Sequence, residues 1–188
     1  MCPQTASRLA PPPHQFAILE LSPASPQVAI AAARELLLEY GSFVRERPEI
    51  TTFCYGALAE EAAALPHSFI AQGGGCLIAS LGPDPLGFIA WRSLALDKNS
   101  LADLIENAWE IKRLWVRPAT RGTGLGRTLI DEIIRRARAA GKARLLLDTA
   151  PQVMPAAHHL YLELGFRECP SYNGSNPSGI VFMSRDVS

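Results

Sequence analysis

The sequence predicts a single α/β domain with a mixed central β-sheet and helices on both faces. Runs with strand character alternate with amphipathic stretches typical of helices, in the order β-α-(α)-β-β-β-α-β-α-β. The 188 residues suffice for one sizeable core, and no internal repeat divides them. Hydrophobic residues make up 48% and charged residues 19%, which is a globular composition. We place the domain at residues 15–188 and expect the Pro-rich stretch 1–14 to be a loose, flexible arm.

The first part of the chain predicts a strand followed by a long helix. Residues 16–21 have strand character. Ser25 is the predicted N-cap of the helix, Pro26 its first position and Gly41 its end. The apolar positions of this helix recur every four residues, at Val28, Ala32, Leu36 and Tyr40.

The middle of the chain predicts a β-hairpin between less regular stretches. A short helix is expected near residues 58–65. The strand-like runs 76–81 and 86–94 flank Gly82-Pro83-Asp84-Pro85, which favours a loop slightly longer than a tight turn. Residues 95–109 are expected to form a loop or a short helix.

The second half predicts further alternation of strands and helices. Residues 110–116 have strand character, and a long amphipathic helix is expected within residues 125–141. The run 143–147 is apolar, as expected of a strand that is buried on both faces. Pro155 begins another predicted helix, and a last strand is expected at 180–183.

Composition excludes several classes of function. The 18 basic and 18 acidic side chains cancel, and a neutral chain is a poor general nucleic-acid binder. No apolar run reaches the ~18 residues of a membrane span, and the four cysteines lie far apart without a CxxC pair. We therefore expect no membrane segment, no secretory leader, no metal site and no disulfide framework, and a cytoplasmic location.

The charge is divided unequally between the two halves. Residues 1–109 hold 6 Lys/Arg and 11 Asp/Glu, whereas residues 110–188 hold 12 and 7. The basic half suits a small polyanionic ligand, and the acidic half favours a cationic partner. The acidic excess includes Glu46, Glu49, Glu60 and Glu61. A solvated mixture of charges would give the same totals.

A glycine-rich loop joins the strand at 110–116 to the long helix. In Arg121-Gly122-Thr123-Gly124-Leu125-Gly126, closely spaced glycines let backbone N–H groups approach a ligand at the positive end of a helix. These features predict a pyrophosphate cradle with Arg117, Arg121 and Arg127 around it. The loop lacks the lysine of a P-loop and the following acidic residue of a dinucleotide fingerprint. The alternative is a plain strand-to-helix turn.

The strand before this loop changes its apolar phase. Ile111 and Trp115 would share an apolar face with residue 113, which is Arg. Leu114 and Val116 carry the apolar phase after it. A slip of one residue is what a β-bulge produces, and a bulge splays neighbouring strands. The alternative is that Arg113 and Trp115 form a solvated face.

Two blocks of the sequence resemble the GNAT-type acyl-CoA N-acyltransferases. Residues 110–141 resemble the central motif of that family, which is a bulged strand, an (Arg/Gln)-x-x-Gly-x-Gly/Ala loop and a long helix. Residues 157–166, Ala-His-His-Leu-Tyr-Leu-Glu-Leu-Gly-Phe, resemble its next block, Ala-x-x-Leu-Tyr-x-x-x-Gly-Phe. One departure is Met154, where many relatives carry Asn. The resemblance implies a GNAT-like sheet with a splayed strand pair.

The resemblance also implies acetyl-CoA as the cosubstrate. Its pyrophosphate would lie on the amides of residues 121–126, and its pantetheine arm would pair with residues 114–116 like an added strand. The thioester would enter the gap between strands 110–116 and 143–148. The implied cofactor-binding residues are Leu114, Val116, Arg121, Gly122, Thr123, Gly124, Gly126 and Arg127.

Acyl transfer to an amine requires proton transfer and stabilisation of an oxyanion. We expect Glu110 to be the general base through a water, with its pKa raised in a partly desolvated cleft. The alternative is a surface carboxylate that pairs with Lys112 or with the end of a helix. The resemblance places Tyr161 near the leaving sulfur as the general acid, and a purely packing role is its alternative. The backbone N–H of Val116 or its neighbour is the expected oxyanion donor.

The sequence thus predicts an N-acetyltransferase that moves an acetyl group directly from acetyl-CoA to a small amine or a peptide amino group. The acceptor pocket is expected from residues 40–75, 95–109 and 168–180. Asp148 and Thr149 end a central strand, where open α/β sheets bind ligands. They are candidates for contact with either substrate, or for capping the next turn.

The rival function is a non-catalytic acyl-CoA-binding regulatory module. The presence of both Glu110 and Tyr161 favours the enzyme, and the missing P-loop lysine disfavours a nucleotide-binding regulator. His158 and His159 are adjacent and have no metal-ligand partner at helical spacing, and Cys169 is expected to be structural. A homodimer is compatible with a small α/β domain.

Overall fold

A mixed β-sheet forms the centre of the molecule. The computed structural model describes residues 16–50, 57–94 and 101–187, so the arm predicted at 1–14 lies outside the described residues. The strands are β1 (Ala17–Glu20), β2 (Gly75–Leu81), β3 (Asp84–Ser93), β4 (Ala108–Val116), β5 (Arg144–Thr149), β6 (Arg167–Cys169) and β7 (Val181–Asp186). Their order in the sheet is β1-β2-β3-β4-β5-β7-β6. Only β4 and β5 pair in parallel within this described sheet.

Helices cover both faces of the sheet, as the alternation of elements predicts. They include α1 (Gln27–Arg45), α2 (Leu58–Ala63), α3 (His67–Ile70), α4 (Ala102–Ile105), α5 (Leu125–Ala139) and α6 (Pro155–Glu163). The apolar side of α1 packs into a core on one face, and α5 and α6 pack into a second core on the other. No helix in the described ranges has the length and apolar character needed to cross a membrane.

The central strand β5 is buried from both sides. Leu145, Leu146 and Leu147 are each at most 1% exposed, which confirms the prediction from their apolar run. Leu146 belongs to the core under α1, whereas Leu145 and Leu147 belong to the core under α5. Because side chains alternate along a strand, Asp148 lies on the α1 side and Thr149 on the α5 side.

The first helix differs from the prediction at both ends. Pro26 is its N-cap, and the Ser25 hydroxyl accepts a hydrogen bond from a backbone N–H three residues earlier instead of capping the helix. Leu36 and Tyr40 are buried as predicted and Ala32 is partly buried, but Val28 is 76% exposed, so the prediction is wrong at the first position. The helix continues through Gly41 to Arg45 because burial of this face outweighs the low helix propensity of glycine. The buried positions are Ile30, Ala33, Leu36, Leu37, Tyr40, Gly41 and Val44.

The hairpin and the last strands also differ from the prediction. Leu81 pairs with Asp84, so only Gly82 and Pro83 separate β2 from β3 and the loop is shorter than expected. Gly82 adopts φ +58°, a left-handed conformation typical of two-residue hairpin loops. The sequence did not predict β6, because its three residues become a strand only by pairing with β7.

Candidate active site

A β-bulge opens the sheet between β4 and β5. Between the pairs Phe88–Trp115 and Ala90–Lys112, β4 has one residue more than β3. Arg113 in this segment adopts φ +58°, which is uncommon for a residue other than glycine and coincides with the bulge. The parallel pairing of β4 with β5 covers only three residues of each strand, after which the two strands diverge. The predicted bulge and splayed pair are both confirmed.

The open edge of β4 offers backbone groups to a ligand. The N–H of Arg117 donates to the carbonyl of Leu86 on the β3 side at 2.9 Å. Because backbone N–H groups alternate in direction along a strand, those of Leu114 and Val116 point towards the gap. The carbonyl of Val116 accepts a hydrogen bond from Nε of Arg121 at 3.1 Å. An extended ligand can therefore pair with this edge like an added strand.

The glycine loop places unpaired amides at one end of the gap. Gly122 and Gly124 adopt φ of +80° and +87°. The N–H groups of Gly124, Leu125 and Gly126 have no backbone acceptor in the described structure, as expected at the first turn of a helix. A Cβ on Gly126 would come within 3.3 Å of the Leu160 side chain, so glycine lets the start of α5 pack closely against α6. The loop has the form of an anion cradle.

Replacing Gly124 by alanine is expected to lower the free energy of unfolding by about 1–2 kcal/mol. A Cβ there would meet nothing within 4 Å, so the whole effect comes from the left-handed backbone. Urea denaturation of the wild type and of Gly124→Ala measures this change in the free energy of unfolding. Gly124→Asn is the matched control, because asparagine adopts the left-handed region more readily than alanine and should lose less stability. An equal loss of stability in both variants would contradict the backbone explanation.

Two of the arginines predicted around the loop are paired with other elements. The Arg117 guanidinium bonds Glu39 of α1 at 2.7 Å and Glu35 at 2.6 Å, so the prediction that it surrounds the loop is wrong. Arg127 pairs with Glu163 of α6. This pair is nearly half exposed, and exposed pairs contribute little to stability.

The other predicted side chains of the loop stabilise its own conformation. Arg121 lies over the Trp115 ring, 4.8 Å from the ring centroid, in addition to its bond with the Val116 carbonyl. The backbone N–H and the hydroxyl of Thr123 both donate to the Thr120 carbonyl. The cradle therefore consists mainly of glycine amides rather than of side chains.

A cleft lies where β4 and β5 separate. Its walls come from residues 111–114 of β4, from Asp148 and Thr149 of β5, from α6 and from Tyr40 of α1. Tyr161 is part of this wall, whereas Glu110 is not. The structure thus brings the predicted acid directly into the cleft and places the predicted base behind Lys112.

Glu110 is buried in a network of charges. Its side chain is 0% exposed, and it accepts hydrogen bonds from Arg92 Nε at 2.6 Å and from the Tyr172 hydroxyl at 2.9 Å. Lys112 Nζ lies 3.5 Å from Glu110 Oε1 and 2.8 Å from Asp148 Oδ2. Burial raises the pKa of Glu110, but the charges of Lys112 and Arg92 outweigh it and hold the pKa below its ordinary value. The expected upward shift is therefore wrong.

Several members of this network could not be assigned from the sequence. Burial lowers the pKa of Lys112, but the carboxylates of Asp148 and Glu110 raise it more, so the ammonium remains charged at neutral pH. Tyr172 is 1% exposed and follows Glu110 by 62 residues, in the segment between β6 and β7. No local pattern in the sequence links such distant residues.

Tyr161 combines packing with a chemical position. Its ring packs edge-on against Phe166 with centroids 5.8 Å apart, and the residue is 6% exposed. Burial raises the pKa of Tyr161 well above its ordinary value, and the nearby Tyr40 and Asp148 add to this shift. The phenol therefore keeps its proton at neutral pH, as a general acid must.

The acidic excess of the first half is partly neutralised beside the cleft. Glu61 accepts two hydrogen bonds from Arg113, at 2.7 and 3.2 Å. Both side chains are at most 10% exposed. Since Glu35 and Glu39 bond Arg117 in the same way, the summed charge overstates the attraction for a cationic acceptor.

Comparison with known proteins gives the family. The sequence model described as the Acetyltransferase (GNAT) family matches residues 32–166. The chain belongs to the GNAT family. An uncharacterized N-acetyltransferase of Schizosaccharomyces pombe is 37% identical over 79 residues, which are 42% of this GNAT chain and 48% of the relative. An IAA acetyltransferase of Azospirillum brasilense is 37% identical over 80 residues, covering 42% and 51%. The match thus spans about half the length of these curated relatives.

Solved GNAT structures share the fold of this chain. A GNAT acetyltransferase of Staphylococcus aureus Mu50 has a TM-score of 0.67 and 18% identity, covering 92% of this chain and 99% of its own. YncA of Salmonella typhimurium, solved with its cofactor acetyl-CoA, has a TM-score of 0.67 and 18% identity, covering 93% and 95%. An aminoglycoside 6'-acetyltransferase type Ii has a TM-score of 0.64 and 18% identity, covering 92% and 97%. These likenesses concern the fold.

Proposed function

We propose that this GNAT chain is an N-acetyltransferase that moves an acetyl group directly from acetyl-CoA to an amine. The observation that carries the proposal is the cleft where β4 and β5 separate, which has Tyr161 in its wall. The unpaired amides of the glycine loop follow the end of β4 along the chain. The Salmonella typhimurium relative was solved with acetyl-CoA, which supports the same cosubstrate here.

The backbone of the site suits acetyl-CoA. The amides of Gly122, Gly124 and Gly126 would hold the pyrophosphate at the positive end of α5. The edge of β4 at Leu114 and Val116 would pair with the pantetheine arm. When bound, acetyl-CoA supplies the acetyl group as an activated thioester.

The side chains of the loop would make secondary contacts. Arg121 is exposed, and the side chain of Arg127 is 43% exposed, so both can turn towards phosphate oxygens. Thr123 would act by holding the loop, because its N–H and hydroxyl already bond the Thr120 carbonyl.

We assign the proton transfers to Glu110 and Tyr161. Because the pKa of Glu110 is below its ordinary value, its carboxylate is ionised at neutral pH and can accept a proton relayed by a water. Tyr161 retains its proton and would give it to the departing sulfur. The backbone N–H of Val116 faces the gap and would donate to the developing oxyanion.

The proposed acceptor is a small amine or a peptide amino group. The glycine loop begins α5, so the acyl donor would enter the cleft from the α5 side of the sheet. The acceptor would then enter from the α1 side, where Tyr40 and Lys112 line the cleft. Two of the relatives are named for different acceptors, IAA and an aminoglycoside, which agrees with an acceptor side that varies among them.

Thermal unfolding with ligands tests the cosubstrate first. Acetyl-CoA and CoA, each at ~100 times Kd, are expected to stabilise the fold by about 2.7 kcal/mol, or about 5–10 °C in Tm. ATP and NAD at the same concentration are expected to leave Tm unchanged. No shift with acetyl-CoA would contradict the proposal. A shift in Tm with acetyl-CoA, but no release of CoA when any primary amine is added, would favour the non-catalytic acyl-CoA-binding module instead.

A further inference from the structure

We infer that the last two residues of β5 sort the two substrates, with Asp148 binding the acceptor amine and Thr149 binding the acyl donor. The inference rests on the proposed function and deepens it by assigning a contact to each substrate. Both residues line the cleft. Because successive side chains of a strand point to opposite faces, one wall of the cleft presents a different group to each side of the sheet.

Asp148 presents a carboxylate oxygen to the α1 side. Its side chain is 9% exposed, and Oδ2 accepts a hydrogen bond from Lys112 at 2.8 Å. Oδ1 has no hydrogen-bond partner among residues 16–50, 57–94 and 101–187. Because the Asp148 side chain lines the cleft, an N–H donor that enters the cleft can reach this oxygen.

An amine is the ligand that completes this carboxylate. A primary amine brings N–H donors, and its protonated form also brings positive charge, whereas an alcohol brings one donor and no charge. Lys112 acts as a positioning residue, because it fixes one carboxylate oxygen and leaves the other for the ligand. Its ammonium is shared with Glu110, which ties the acceptor contact to the proposed base.

Thr149 presents a hydroxyl to the α5 side. The residue is 2% exposed, and its Oγ1 is buried without a hydrogen-bond partner in the described structure. Tyr161 lies on the same side, because Tyr161 and Leu147 both belong to the core under α5. Buried hydroxyls are normally hydrogen-bonded, so an unpaired one in the wall of a cleft indicates a ligand contact. The carbonyl and amide groups of the pantetheine arm are the polar groups that the acyl donor brings there.

Two nearly isosteric variants separate the contacts. Asp148→Asn keeps an oxygen for Lys112 and is expected to raise the amine KM by about 10–100-fold, with the acetyl-CoA KM unchanged. Thr149→Val keeps the volume and is expected to raise the acetyl-CoA KM by about 3–10-fold, with the amine KM unchanged. Each variant is the control for the other, and their Tm values verify that both fold. The amine is whichever of 2-phenylethylamine, spermidine and alaninamide the wild type acetylates fastest.

The opposite results overturn the inference. Equal changes of both KM values in either variant, or no change in both, would mean that these residues do not sort the substrates. A second measurement uses calorimetry on the CoA-saturated protein, comparing the amine with its matching alcohol. The wild type is expected to bind the amine at least about 10-fold more tightly, and Asp148→Asn to lose that preference. A preference that persists in Asp148→Asn also overturns the inference. If the wild type releases no CoA with any amine, the proposed function fails instead, and calorimetry with 2-phenylethylamine and 2-phenylethanol still tests Asp148.

Discussion

Replacing Glu110 by glutamine is expected to lower kcat at least about 100-fold and the free energy of unfolding by about 3–5 kcal/mol. The side chain is 0% exposed and lies against two cations, Arg92 and Lys112. A neutral amide leaves Arg92 without its carboxylate partner and Lys112 with Asp148 alone, and removing one partner of a buried ion pair is strongly destabilising. Initial rates at saturating acetyl-CoA and urea denaturation measure the two effects.

The loss of stability should depend on pH in a defined direction. The pKa of Glu110 lies below its ordinary 4.5, so its charge stabilises the fold fully above that value and the contribution disappears as the pH falls through the folded pKa. The pKa of Lys112 lies above its ordinary 10.5, so its contribution disappears only as the pH rises beyond that value. The difference between wild type and Glu110→Gln is therefore expected to be constant between these values and to shrink in acid.

Glu132→Gln is the matched control for burial. Glu132 also lies between two cations, 2.7 Å from Arg135 and 2.9 Å from Arg136, but its side chain is 19% exposed, against 0% for Glu110. Glu132→Gln is expected to lower the free energy of unfolding by less than about 1 kcal/mol. Equal losses in both variants would contradict the role of burial. A full kcat in Glu110→Gln would remove Glu110 as the base and leave its network purely structural.

The parts of the fold that the sequence predicts are those determined by local periodicity. The apolar run of β5 predicts a strand buried on both faces, because both faces of that strand must avoid water. The shift of apolar phase around Arg113 predicts the bulge, because a bulge changes which residues face the core. The glycine loop predicts a cradle, because its backbone conformations favour residues without a Cβ. Each of these features lies within a short segment of the chain.

The parts that the sequence does not predict depend on distant contacts. Arg117 looks like a phosphate contact by its position, but its partner Glu39 is 78 residues away. The pKa of Glu110 depends on Arg92 and Lys112, and desolvation alone would have moved it in the opposite direction. The predicted stripe of α1 fails at Val28, because tertiary packing, rather than spacing alone, decides which residues of a helix are buried.

Replacing Tyr161 by phenylalanine is expected to lower kcat by about 100- to 10,000-fold with little change in either KM. The Tyr161 hydroxyl makes no hydrogen bond with the described residues, and its ring packing against Phe166 persists in the variant. The free energy of unfolding should therefore change by less than about 1 kcal/mol. Because the pKa of Tyr161 is raised above its ordinary 10, this group should cause no loss of kcat below pH 10. Steady-state kinetics between pH 6 and pH 10 measure the loss of kcat and its pH dependence.

Leaving-group chemistry distinguishes a general acid from a packing residue. A more acidic thiol leaves more readily as the thiolate, so it depends less on protonation by a general acid. If Tyr161 protonates the departing sulfur, the loss of kcat in Tyr161→Phe should therefore be smaller with an acetyl thioester of such a thiol. A packing role predicts the same defect with every donor. Tyr40→Phe is the control, because Tyr40 lines the same cleft from α1 and has no assigned proton transfer. Two results would mean that Tyr161 has only a packing role. One is a loss of kcat in Tyr40→Phe as large as in Tyr161→Phe, and the other is a loss in Tyr161→Phe that is the same for every thiol.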